Sequence, residues 1–153
     1  LSQPNYAGNI IVILANLPEF LRGPILKKRM EEFFTLVAPD RQEMISNALE
    51  AGPTIPFPNF AKLFVTWLDV LAGISEEKRT TMFSSYISEI LQNPQKLVLF
   101  NLDGILEIFL SLDLSKKEIL ANSIRQIVLG LSSEQKRKLD LIVPQNARVH
   151  LGI

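Results

Sequence analysis

Apolar residues recur along this chain at a spacing close to 3.6. Leu26, Met30, Phe33, Phe34 and Val37 fall at offsets of 0, 4, 7, 8 and 11, which is one face of an α-helix. Met82, Phe83, Tyr86, Ile87, Ile90 and Leu91 form an i, i+1, i+4, i+5, i+8, i+9 stripe. Shorter stripes of the same kind run through Met44, Ile45, Ala48 and Leu49, through Phe64, Trp67, Leu68 and Leu71, and through Leu102, Ile105, Leu106 and Phe109. Another joins Leu120, Ile124, Ile127, Val128 and Leu131. The β-branched run Ile10 to Leu14 fits helix or strand by period alone. Its helical surroundings assign the segment from Asn5 to Asn16 to a helix.

Punctuation between the stripes favours helix-to-helix junctions. Gly73-Ile74-Ser75 and Gly130-Leu131-Ser132 pair a glycine suited to a left-handed helix end with a hydroxyl that can start the next helix. Capping boxes are expected at Asn16-Leu17-Pro18-Glu19, at Asp40 to Glu43, at Ser132 to Gln135 and, most clearly, at Ser115 to Glu118, where Leu114 and Ile119 make a hydrophobic staple. Gly23-Pro24 should break or kink a helix. Gly52 to Pro58, with three prolines, should be an extended connector, followed by a helix capped by Asn59. Asn93-Pro94 should start the helix carrying Leu102 to Phe109. The last helix must stop before Pro144.

These elements predict an all-α fold, a stack or bundle of about seven to eight antiparallel helices, over 1–144, with 145–153 as a docked C-terminal tail. Cap-to-cap spacings of 35 residues (Asp40 to Ser75) and 40 (Ser75 to Ser115) match a helix-pair, HEAT-like repeat solenoid. A compact bundle would show the same signals. No tetratricopeptide, HEAT or ankyrin consensus is legible.

Composition narrows the function classes. The 153 residues suit one domain. Sixteen basic residues balance sixteen acidic ones, which argues against binding nucleic acid through counterion release. The absence of cysteine removes disulfides, thiolate metal sites and cysteine nucleophiles, and points weakly to the cytoplasm. No apolar run approaches the roughly 20 residues of a membrane span. Leu1 in place of Met, without a basic leader, is expected of a trimmed or partial chain.

The chemical inventory is poor. The single histidine, His150, lies in the tail, and there is no Gly-rich phosphate loop, nucleophile elbow or metal-ligand cluster. No catalytic residue, metal or cofactor is expected, and the protein is read as non-enzymatic. Glu31-Glu32 and Glu76-Glu77 are adjacent pairs whose side chains diverge by about 100° on a helix. Lys27 and Lys28 should pair with Glu31 and Glu32 at i, i+4. Trp67, inside its stripe, is read as core.

Six residues are candidates for contact with a partner. Lys116 and Lys117 stand near a helix start, where the dipole disfavours cations, with Glu118 the one local compensation. Phe57 is held in a proline-rich connector. Val149, Leu151 and Ile153 alternate with His150 and Gly152, which suggests an extended apolar edge. The leading expectation is a protein–protein interaction or scaffold module binding another protein or a copy of itself. The alternative is a bundle that encloses an apolar small molecule or lipid. A deep cavity distinguishes the second from the first.

Overall fold

The computed structural model describes residues 6–153, and the side chains of 8–153. Asn5 and the first residues of the chain lie outside that range. Ten helices follow in order: α1 (Tyr6–Ala15), α2 (Glu19–Thr35), α3 (Ala38–Ala51), α4 (Phe57–Gly73), α5 (Glu76–Gln92), α6 (Gln95–Val98), α7 (Leu102–Ser111), α8 (Leu114–Leu129), α9 (Ser133–Ile142) and α10 (Gln145–Leu151), with a 3-10 turn at Gly52–Thr54. No strand occurs among the described residues, so the chain is all-α. The number exceeds seven or eight because the segment after Asn93 divides into α6 and α7, and because the tail is helical rather than extended.

Several junctions differ from their sequence reading. Ser75 and Ser132 do cap α5 and α9, accepting from Lys78 N at 3.2 Å and Gln135 N at 3.1 Å, and the Gln135 side chain closes the second box. The start of α8 lies two residues before the expected box: Asp113 is the cap, its carboxylate accepting from Lys116 N at 2.9 Å. Asp40 falls within the first turn of α3, and Pro18 and Pro56 precede α2 and α4 without a side-chain cap. Asn16 instead donates back to Val12 O at 2.8 Å, and Asn59 lies inside α4. Gly73 and Gly130 end their helices without a left-handed turn; that conformation occurs at Gly152, φ 73°.

Pro24 does not break α2, although it removes an amide from the ladder. Leu26, Met30 and Phe33 beyond it are buried, and their packing holds the helix together. The expected connector before α4 shrinks to the 3-10 turn, because Ile55 is buried and α4 starts at once.

Several helix bounds, and some of the helix contacts, match at an interval of 57 residues covering three helices. Thus α2 and α5 each span 17 residues and start at Glu19 and Glu76, and α4 and α8 start at Phe57 and Leu114. Three contacts share this register, α1 on α3 with α4 on α7, α2 on α4 with α5 on α8, and α1 on α4 with α4 on α8, whereas α1 on α2 and α3 on α5 have no equally extensive counterpart.

The recurrence extends to two buried arginines. Arg22 donates from Nε to Leu14 O (3.1 Å) and from a terminal nitrogen to Leu17 O (2.6 Å). Arg79, 57 residues on, donates to Leu71 O (2.8 Å) and Ile74 O (2.7 Å). Each guanidinium satisfies carbonyls at the C-terminal end of the preceding helix, where the dipole favours a cation. At the next equivalent position stands Lys136, which cannot form that planar fork.

A second polar device ties α3, α5 and α6 together. Glu89, 4% exposed, receives hydrogen bonds from Lys96 (2.9 Å), Asn93 (3.0 Å) and Gln42. Lys96 also contacts Ser46 and lies 3.7 Å from Glu50. Burial pushes the Glu89 carboxyl up, but the hydrogen bond and charge of Lys96, with Gln42 and Asn93, outweigh it and hold the group below its ordinary value.

Candidate functional site

The inner faces of these helices do not close completely on one another. They leave between them a cavity of about 470 Å³, partly open to solvent, to which every one of the ten helices contributes lining residues. Equivalent positions of the recurring layout face it: Arg29, Tyr86 and Val143 in one set, Phe33, Ile90 and Ala147 in another.

One wall is aromatic because of sequence spacing. Phe60, Phe64 and Trp67 follow at i, i+4 and i+7 and therefore share a face of α4. Their rings form a ladder with centroid separations of 5.6 Å and 5.7 Å. From α5, Tyr86 and Phe83 meet Trp67 edge-on at 5.3 Å and 5.9 Å, while Phe100 meets Phe60 at 5.7 Å. Gly52 and Gly104 permit this close approach: a Cβ on Gly52 would meet the Phe100 ring at 2.6 Å, and one on Gly104 would run into the Phe57 ring.

The lining is apolar with few exceptions. Its charged residues are Arg29 and Glu32, which pair with each other at 3.0 Å and are half-exposed. This pair is the ion pair found on the face where Lys27–Glu31 and Lys28–Glu32 pairs were expected. Tyr86 and Trp67 supply the remaining polar atoms of note. Neither the Tyr86 hydroxyl nor the Trp67 indole N–H has a hydrogen-bond partner among the described residues, and neither is a fully covered, orphaned atom. Burial pushes the Tyr86 phenol well above its ordinary 10.0. Tyr86 as a whole is half-buried and lines the cavity.

The six residues singled out in the sequence do not form one site. Lys116 bonds Asp69 of α4 at 3.0 Å and lies 3.8 Å from Asp113. The Asp69 hydrogen bond and charge raise its pKa, so its compensation comes from across the helix pair rather than from Glu118. Lys117 reaches Leu110 O at 3.4 Å. Phe57 is half-buried in the first turn of α4, against Gly104 and Phe60. The tail is not an alternating edge. As a helix, α10 turns Val149 outward, 70% exposed, while Leu151 and Ile153 line the cavity and Arg125 donates to Leu151 O at 3.3 Å.

Sequence reasoning placed Tyr86 in a core stripe, with nothing to mark its hydroxyl as unpaired. Among the described residues no group of three or more acidic, histidine or cysteine residues could hold a metal ion, and no helix is long and apolar enough to cross a membrane. No protein family, curated protein or solved structure matches the chain.

Proposed function

We propose that this protein binds an apolar small molecule or lipid inside its helical bundle. The observation that carries the reading is the 470 Å³ cavity with its near-continuous apolar wall. Sites for small organic ligands span about 300 to 1,000 Å³ and have mostly apolar linings with a few polar groups. An apolar occupant that binds the folded state alone raises its stability.

A second reading, docking of another protein, is favoured by Leu114, Leu129, Leu141 and Val149. All four lie on α8 to α10 and are at least 68% exposed.

Trp67 provides the test because it is the one tryptophan and lines the cavity. Titrating protein refolded from denaturant with 1-decanol should change its fluorescence saturably and raise the unfolding temperature. A bulky replacement in the lining, Leu106→Trp read by calorimetry, should weaken binding while preserving the helical circular dichroism. An unchanged unfolding temperature at saturating 1-decanol, together with a linear fluorescence response, would refute the carrier reading.

A further inference from the structure

The polar atoms of the cavity identify the chemistry of its occupant, on the reading that the cavity is a binding site. Tyr86 lines the cavity with a hydroxyl that has no protein partner among the described residues, and the ring centroids of Tyr86 and Trp67 lie 5.3 Å apart. A donor on a largely apolar wall is left unpaired when an apolar occupant displaces water from it, unless the occupant itself accepts from it. The charges in the lining cancel: Arg29 is engaged by Glu32, and the lining has no other cation. A carboxylate or phosphate headgroup would therefore enter without a counter-ion.

We infer that the cavity takes a neutral, mainly hydrocarbon molecule bearing an oxygen acceptor, such as an alcohol, ester or ketone, and that the Tyr86 hydroxyl donates to that oxygen. Trp67 lines the same wall. The phenol is suited to the task because it stays protonated, hence a donor, across the working pH range. Tyr86 is then the specificity residue of the site, and the surrounding rings and aliphatic groups supply affinity without discrimination. The equivalent positions are Arg29, drawn to Glu32, and Val143, which has no polar group, so the acceptor site lies in the middle of the three.

Four probes of similar length separate the possibilities: undecane, 1-decanol, methyl decanoate and decanoate, each measured by calorimetry against the wild type and Tyr86→Phe. The variant deletes one oxygen and leaves the packing unchanged; circular dichroism checks its fold. Loss of one such hydrogen bond corresponds to about tenfold in affinity. Tyr86→Phe should weaken 1-decanol and methyl decanoate by about that factor and leave undecane unchanged, with decanoate the weakest oxygenated probe for the wild type. An equal effect of the substitution on all four, or decanoate binding most tightly, overturns the assignment while leaving an apolar binding cavity in place. Failure of every probe to bind the wild type overturns both.

Discussion

Replacing Arg79 with methionine tests whether the buried arginines hold the helix junctions. Arg79 is 8% exposed, and its two short hydrogen bonds, to Leu71 O at 2.8 Å and Ile74 O at 2.7 Å, end the carbonyl ladder of α4. Contacts with Ala72 O at 3.5 Å and Ser123 Oγ at 3.4 Å are too long to add much. Methionine keeps most of the aliphatic volume but leaves two carbonyls without donors. Each loss costs about 1 to 3 kcal/mol, and removing a cation from the helix end adds a few tenths or more. The expected loss is about 3 kcal/mol, or roughly 10 °C in unfolding midpoint for a chain of this size. Arg79→Lys keeps the charge without the fork and should lose about half as much. Urea unfolding followed at Trp67 and by circular dichroism reads the effect, with Arg137→Met, at an exposed position, as control. A loss within 0.5 kcal/mol of that control would mean that water serves these carbonyls equally well, and the interpretation of Arg22 would fall with it.

Asp113→Ala should cost about 1 kcal/mol in urea unfolding because it removes the cap of α8, whereas Ser115→Ala should cost much less; the reverse order would return the helix start to Ser115. Glu89→Ala should cost about 3 kcal/mol, since it strands Lys96 and Gln42 in a covered site, against a few tenths for exposed Glu50→Ala. Because the folded state holds the Glu89 carboxyl below its ordinary 4.5, its contribution is present above that pH and lost as pH falls below it. An acid-unfolding curve of Glu89→Gln as steep as that of the wild type would refute this assignment.

Fold class was legible because amphipathic stripes and junction residues are local signals that agree with one another. Where local signals competed, tertiary packing decided. Ser115 and Asp113 are both competent caps, and the start at Leu114 is the one that aligns α8 with α4, 57 residues earlier, and brings Leu120 and Ala121 into the core. Gly23-Pro24 reads as a break, yet the buried face beyond it outweighs one missing amide. The tail misled for a different reason. Val149, Leu151 and Ile153 alternate as a strand would, but a seven-residue helix with a left-handed Gly152 also turns the last two inward and the first outward.

A cavity stood in the sequence reading only as the alternative, and the physical reason lies in what a hydrophobic stripe encodes. A stripe records that a helix face avoids water; it does not record whether a side chain or a ligand meets that face. Met82, Phe83, Tyr86, Ile87 and Ile90 would read the same in a closed core as around a bound hydrocarbon. What separates the two is the distance between helices, set here by residues far apart in sequence. Gly52 admits Phe100, Gly104 admits Phe57, and the ladder from Phe60 to Trp67 fixes one wall. Tyr86 is a residue whose chemistry bears on the difference, because a phenol inside an apolar stripe needs an acceptor. On the proposed reading, Tyr86 turns a stripe that otherwise encodes only burial into one that donates to an oxygen atom of a bound molecule.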